Sequence, residues 1–359
     1  MVLSSVSTIN LKNLLSAVSE QGASDLHLAV GRYPTLRIDG DLVPYMPGKI
    51  LNPASIKDLI YCMLSDRQKE ILEKEKEVDF SYNFDDKARF RINVFYEKGY
   101  LAAALRLIPA KIRTIEELDL PSMLLDLTRP SQGFVLIVGP SGHGKTTTMA
   151  ALIDYINQNR NSHIITIEDP IEYLFKPDRC IINQREVYHD AMSFSSALRA
   201  TFRQDPDIIM VGEMRDPETM ATAITAAETG HLVFATLHTN NASQTIDRII
   251  DSFPAGQQNQ IKMQLSGSLL GIVSQRLIPR IDSGRVPALE ILIANPAVRN
   301  LIREGKSHQL DLVIDTGADA GMVSLNKSLA GLVKSRIISL ENAEIYSLNT
   351  SDLRMLLQK

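Results

Sequence analysis

Apolar positions change their spacing several times along the chain, and each change predicts an element. Leu11 to Val18 places its apolar residues on one helical face and closes near Gly22. Residues 25–30, DLHLAV, alternate in the way of a half-buried strand. Thr35–Ile38 and Asp41–Pro44 flank Asp39-Gly40, a strong hairpin signal. Two helical stretches follow, Ala54–Leu64 and Asp66–Lys76, and the EKEKE run at 73–77 reads as a solvated helix face. Three strand-like runs come next, Glu77–Asn83, Arg89–Tyr96 and Tyr100–Leu107. Residues 108–130 mix polar residues with Pro109, Pro121 and Pro130 and predict a connection.

From Gly133 the style changes. Short apolar, β-branched runs (133–138, 164–167, 208–211 and 232–235) alternate with helical segments, as in a doubly wound parallel sheet. The helix 217–229 is well marked: Asp216 can cap it, Pro217 suits its first position, and Gly230 closes it. Beyond about residue 255 the pattern predicts mainly helix. The boundaries divide the chain into an N-terminal α/β domain at 1–107, a linker at 108–130 and a larger α/β domain at 131–359, with a helical subdomain from about 255.

Composition narrows the function classes. With 359 residues, 44% hydrophobic and 22% charged, the chain is long enough for two soluble domains. A net charge of −4, 6% aromatic residues and no Trp give no argument for nucleic-acid binding. Cys62 and Cys180 are far apart and in no metal-binding spacing, which predicts two reduced thiols. No signal-peptide pattern opens the sequence, and no apolar run reaches the ~18 residues of a membrane span. The expectation is a cytoplasmic chain without direct membrane insertion.

The chemistry starts at GFVLIVGPSGHGKTTT, residues 133–148. An apolar strand runs into Gly139-Pro-Ser-Gly-His-Gly144-Lys145-Thr146, an uninterrupted G-x-x-x-x-G-K-[ST], and a helix follows from 146 to 159. A phosphate chain needs many donors at close range. Gly139, Gly142 and Gly144 free the backbone amides to form such a nest, which Ser141, His143 and Thr147 complete, and the helix N-terminus adds its dipole. Lys145 can reach the β- and γ-phosphates, and the Thr146 hydroxyl can ligate Mg²⁺. The loop therefore predicts a nucleoside triphosphate site.

Hydrolysis further needs a group to activate water, a metal acid and positive charge. Glu168, Asp169 and Glu172 follow the strand at 164–167. Glu213 follows the strand at 208–211, after Gly212, which would leave room for the nucleotide. A third strand starts at His231 and ends at His238.

These segments together resemble the secretion ATPase superfamily that powers type II secretion and type IV pili, and within it the pilus-retraction, PilT-type motors of twitching motility. The similarity covers nearly the whole chain. It includes GASDLHL at 22–28, RFRIN at 89–93, the phosphate loop, and IITIEDPIEY at 164–173. It continues through ALRATFRQDPDIIMVGEMRDPETM at 197–220 and TAAETGHLVFATLHTNNASQTIDRIID at 225–251. The resemblance implies an N-terminal PAS-like domain and a C-terminal RecA-like P-loop ATPase domain with a helical C-terminal part.

It also implies roles. Glu168 resembles the general base, Glu213 the Walker B acid acting through Mg²⁺, and His231 and His238 the His-box pair, with His238 sensing the γ-phosphate. Arg89, Arg91 and Arg106 resemble the N-terminal-domain arginines that close over ATP; their alternation with Phe90 and Ile92 is equally that of a strand with one wet face. Arg199 and Arg203 resemble arginines of inter-subunit contacts. Ala297, Val298, Arg299, Asn300, Leu301, Ile302, Arg303 and Glu304 resemble a segment of retraction motors. On a helix, Val298, Leu301 and Ile302 form one apolar patch beside a basic edge of Arg299 and Arg303. No tetracysteine zinc motif is present, unlike the usual extension and type II secretion motors.

The implied protein is a Mg²⁺-dependent ATPase acting as a homo-hexamer on an inner-membrane pilus platform protein, cytoplasmic and attached to the membrane only through the pilus machinery. His143 where Ser is common, Gln204 before Asp205-Pro206, and the tail after Gly321 depart from the family pattern. They keep an accessory or paralogous retraction motor, with a paralogous ATPase as partner, among the readings, beside an extension motor. From other classes stand an ATP-binding regulatory scaffold with negligible turnover and a nucleic-acid translocase.

Overall fold

The computed structural model describes residues 10–38, 40–46, 49–84, 88–108 and 111–358. Asp39 of the hairpin turn and Pro109 of the connection lie outside the described residues. The chain divides into two units, 1–111 with 172–174, and 112–171 with 175–359.

The first unit is an antiparallel sheet with helices on one face. Its strands are β1 (Asp25–Leu28), β2 (Thr35–Ile38), β3 (Asp41–Pro44), β4 (Glu77–Phe84), β5 (Ala88–Glu97) and β6 (Tyr100–Ile108), in the order β3-β2-β1-β6-β5-β4. Alternation decides the faces. Leu26, Phe90, Ile92, Val94 and Leu105 turn to a core shared with helices α1 (Leu11–Glu20), α2 (Pro53–Tyr61) and α3 (Asp66–Glu75). The intervening positions carry Arg89, Arg91, Arg106 and Asp25. Side-chain caps set all three helix starts: Asn10 for α1, Asn52 for α2 and Ser65 for α3. This is the PAS-like α/β domain.

The second unit is RecA-like. Its strands are β7 (Gly133–Val138), β8 (His163–Glu168), β9 (Ile181–Glu186), β10 (Ile208–Val211), β11 (Leu232–Leu237), β12 (Leu269–Pro279) and β13 (Arg285–Ile293). They run in the order β13-β12-β7-β11-β10-β8-β9. All neighbours are parallel except β12 and β13, which form an antiparallel hairpin. Every residue of β7, β10 and β11 is buried, which is why these strands read as unbroken apolar runs. The helices α4 (Lys145–Asn159), α5 (Phe194–Thr201), α6 (Pro217–Glu228), α7 (Ala242–Asp251), α8 (Ala255–Ser268), α9 (Pro296–Glu304) and α10 (Leu310–Thr316) follow in order. The last three, α11 (Leu325–Lys334), α12 (Leu340–Tyr346) and α13 (Thr350–Gln358), pack on Ile278, Val286 and Ala288 of the β12–β13 hairpin.

Two differences from expectation bear on function. Helices predominate beyond residue 255, as expected, but the unpredicted strands β12 and β13 extend the central sheet, and β12 lies directly beside β7. Their side chains are buried on both faces, so no period-2 alternation marks them. The strand β9 at the far edge was also not predicted. The helix α6 agrees closely: Asp216 accepts from the Thr219 amide at 2.8 Å, and Pro217 stands at the first position. No helix among the described residues is long and apolar enough to cross a membrane, and Cys62 and Cys180 are free thiols.

Candidate nucleotide-binding site

The phosphate loop joins β7 to α4. Gly144 occupies the N-cap of α4 at φ +79°, and no side chain caps that end, whereas Ser193, Asp216, Asn241 and Asn295 cap α5, α6, α7 and α9. The first amides of α4 are thus left for a ligand. Gly142 also adopts positive φ, at 77°.

The loop rests on the β12–β13 hairpin. A Cβ on Gly139 would lie 2.3 Å from the Gln275 carbonyl oxygen, so only glycine fits there. Gln275, 2% exposed, binds both the loop and the first part of α4. Its Oε1 accepts from the Thr148 hydroxyl at 2.7 Å, and its Nε2 donates to the His143 carbonyl at 2.9 Å. The Leu277 amide donates to His143 Nδ1 at 2.9 Å, and Arg285 Nη1 reaches the Gly142 carbonyl at 3.4 Å. Gln275 and Arg285 were missed by the sequence reading, because the two strands that carry them were missed. The available signal was Gln275-Arg276, a polar pair interrupting an apolar run.

The carboxyl ends of the parallel strands bring the predicted chemistry into one row. Lys145 is buried, and its ammonium donates to the Gly139 and Pro140 carbonyls at 2.8 and 3.0 Å. It also lies 3.3 Å from His238 Nδ1, just past β11. An ammonium has no acceptor, so Nδ1 accepts and Nε2 carries the proton. Nε2 faces Glu213 Oε2 at 3.5 Å, just past β10. The other Glu213 oxygen pairs with Arg215, whose second arm lies 3.7 Å from Asp169. That bond to Glu213 raises the Arg215 pKa against a smaller opposing effect of burial. Lys145, His238, Glu213, Arg215 and Asp169 thus form one line of polar contacts along the rim.

Glu168 ends β8, three strands from β7 and so roughly 14 Å across the sheet. It is 2% exposed, and its Oε1 accepts from the Thr166 hydroxyl at 2.7 Å and from Gln184 Nε2 at 3.2 Å. The β9 residue Gln184 therefore orients it. Gly212 packs closely against the neighbouring strand: a Cβ there would lie 3.2 Å from the Ile167 carbonyl oxygen of β8. Thr146 and Thr147 occupy the first turn of α4, and Ser141 is exposed at the loop tip.

Other predicted residues stand apart. His231 precedes β11 at its amino end, seven positions and roughly 23 Å from His238. Its Nδ1 donates to the Ala226 carbonyl at 3.0 Å, closing α6, and its ring meets Phe202 edge-on. The structure thus does not bring it to the phosphate loop of its own chain. Arg199 pairs with Glu218 of α6, and Arg203 is exposed just past α5. In the first unit, Arg91 pairs with Asp79 at 2.8 Å, Arg106 with Asp25 at 2.9 Å, and Arg89 Nη1 donates to Asn83 at 3.3 Å.

Within α9, Val298 and Ile302 are buried and Leu301 packs beside them, as the apolar spacing predicted. The basic edge is corrected. Arg299 is turned inward, donating to the Ser266 and Gly267 carbonyls at 2.6 Å each and to Ala294 at 3.1 Å, and burial lowers its pKa. Ala297, Asn300, Arg303 and Glu304 are exposed.

A Gly-rich loop between a buried parallel strand and an uncapped helix, with a histidine and carboxylates on the neighbouring strand ends, defines a P-loop nucleoside-triphosphate-binding protein on a RecA-like sheet. Sequence comparison narrows the class. Residues 4–286 match the type II/IV secretion system protein family, and the chain belongs to it. It is 47% identical over 337 residues to the type IV pilus retraction ATPase PilT of Pseudomonas aeruginosa, covering 93% of this chain and 97% of that one. It is 44% identical over 325 residues to a twitching motility protein of Neisseria gonorrhoeae, with 89% and 86% covered. A crystal structure of the pilus retraction motor PilT with bound ADP superposes with a TM-score of 0.91, at 48% identity over 97% of this chain and 99% of that one.

Proposed function

We propose that this chain is a Mg²⁺-dependent ATPase whose hydrolysis cycle powers type IV pilus retraction. The observation that carries the reading is the polar line from Lys145 through His238 to Glu213, at the ends of three adjacent strands beside an uncapped helix. The extent of similarity to a retraction ATPase supports the biological assignment. The loop amides of Gly139, Ser141, Gly142, His143 and Gly144, with Lys145, Thr146 and Thr147, hold the phosphates.

Mg²⁺ fits the donors available. Thr146 and Glu213 offer hard oxygen ligands, and no group of three or more metal-binding side chains occurs among the described residues. Such a site suits an ion that takes its remaining ligands from phosphate and water. When bound, the ion neutralises charge developing on the phosphates. Lys145 exchanges its bonds to the loop carbonyls for phosphate oxygens. His238, sharing contacts with Lys145 and Glu213, registers whether a γ-phosphate is present. Glu168, fixed by Thr166 and Gln184, accepts the proton of the attacking water.

In this reading Arg89, Arg91 and Arg106 exchange their present partners for phosphate on closure, and Arg199 and Arg203 face a neighbouring copy in a homo-hexamer. The exposed residues of 297–304 contribute to the retraction-specific surface. The ring works in the cytoplasm on an inner-membrane platform protein of the pilus. The test of the chemistry is Glu168→Gln. ATP binding should persist while turnover falls by about 10²-fold or more, within the usual range for general-base catalysis. Unchanged turnover would remove Glu168 from that role. Binding without turnover in the unsubstituted chain would favour a regulatory scaffold.

A further inference from the structure

We infer that His143 is a positioning residue of the phosphate loop: its ring replaces the strand neighbour that β12 loses where β7 ends. The inference rests on the reading of this loop as a nucleotide site. The last β7–β12 pair is Val138 with Ser274, and beyond it β12 runs on alone on that side. On its other side Leu277 faces Pro287, which has no amide hydrogen and so marks a non-hydrogen-bonded pair of the antiparallel ladder, where the Leu277 amide meets no acceptor. The Leu277 amide points instead toward the loop, and His143 Nδ1 accepts it at 2.9 Å. The His143 carbonyl is held from the same strand by Gln275 at 2.9 Å. One residue of the loop is thus tied to β12 through both backbone and side chain.

The tie requires one protonation state. Nδ1 accepts only while it carries no proton; an N–H there would face the Leu277 N–H and break the bond. The surroundings keep the ring neutral. Arg276 of β12, Arg285 of β13 and Lys145 of α4 act on it electrostatically, and the Tyr346 ring of α12 stands edge-on at 6.1 Å between centroids. Burial first, and then the three cations, lower its pKa below the ordinary 6.5. Tyr346 is itself fixed, since its carbonyl accepts from Arg276 at 3.2 Å. His143 therefore makes loop geometry acid-sensitive and links it to the C-terminal helices.

The experiment measures the dissociation constant of fluorescent methylanthraniloyl-ADP between pH 7.5 and 5.5, on the full chain and on His143→Asn. Asparagine places a non-titrating acceptor near the position of Nδ1. Comparing the pH 5.5 to pH 7.5 ratio between the two proteins cancels titration of the ligand and of groups common to both. The unsubstituted chain should lose about tenfold more affinity on acidification than His143→Asn, the effect of one unsatisfied, half-buried donor. Equal ratios would overturn the inference alone. No binding by the unsubstituted chain at any pH would overturn the nucleotide reading and the inference with it. Should His143→Asn fail to fold, Tyr346→Leu decides. Opening one wall around His143 should move the acid loss to higher pH, and an unmoved midpoint would contradict the role.

Discussion

Replacing Glu290 by glutamine should stabilise the second unit above pH 7 and change little near pH 4.5. Glu290 lies on β13, opposite Ser274, and is 7% exposed. Its Oε1 accepts from the Ala242 amide, the first of α7, at 2.7 Å. Burial drives its pKa from 4.5 up to about 7, with Asp311 and Asp315 adding to the rise and the Ala242 bond and Arg276 opposing it. A carboxyl with a raised folded pKa binds its proton more tightly in the folded state. Its contribution is therefore fully present below the unfolded pKa near 4.5 and is lost as pH rises through about 7. At about 1.4 kcal/mol per unit, the ionised carboxylate costs about 3 kcal/mol above pH 7.

Glutamine keeps an oxygen for Ala242 and carries no charge. The stability difference between variant and unsubstituted chain should grow from near zero at pH 4.5 to about 3 kcal/mol at pH 8. For a unit of this size that is a rise of roughly 5–10 °C in melting temperature. With no Trp in the chain, far-ultraviolet circular dichroism during urea or thermal unfolding is the suitable probe. A pH-independent difference, or a variant that loses stability relative to the unsubstituted chain between pH 5 and pH 8, would refute the reasoning. The first would mean that burial leaves the Glu290 pKa unshifted, and the second that the ionised carboxylate is a net stabiliser, paired with Arg276 strongly enough to outweigh burial. The site also has a functional side, because Ala242 ends the loop that begins at His238, and Ser274 holds the same loop through the Asn240 carbonyl at 2.9 Å.

Two further outcomes follow from the contacts that hold the site. Gln275→Ala leaves the Thr148 hydroxyl and the His143 carbonyl without their partner, and ADP affinity by calorimetric titration should fall about tenfold, the effect of one or two lost buried bonds; unchanged affinity would mean that the hairpin does not shape the loop. Arg299→Ala removes three bonds to backbone carbonyls and should lower stability by about 2 kcal/mol in urea unfolding, whereas Arg303→Ala, at an exposed position, should stay within about 0.5 kcal/mol. Equal effects would contradict the inward role of Arg299.

Local signals made much of this protein legible. β7, the glycines of the loop and α4 form one continuous sentence of strand, turn and helix, and Asp216-Pro217 marks the start of α6 without help from any distant residue. Glu213 and His238 were legible as strand-end residues, because the parallel sheet puts all such ends on one rim. What failed was non-local. Ser274 pairs with Val138 across 136 residues of chain, and nothing near residue 270 says that its apolar run will become a sheet neighbour of the phosphate loop. Gln275 and Arg285 vanished with that strand. The close packing of Gly212 against Ile167 depends on the β8–β10 pairing and was likewise not legible. His231 shared a motif with His238, but a six-residue strand separates the two by its whole length. Arg299 looked like half of a basic edge, since spacing along α9 cannot reveal the carbonyls at the end of α8 that receive it.

The central proposal, an ATPase that works as a homo-hexamer with Arg199 and Arg203 of one copy facing the next, is tested most directly by specific ATPase activity against the concentration of the full chain, with Mg²⁺ and with assembly followed in parallel by light scattering. The account predicts activity per chain that rises with concentration to a plateau as rings form. Constant activity per chain from dilute to concentrated solution, with the protein monomeric throughout, would contradict it.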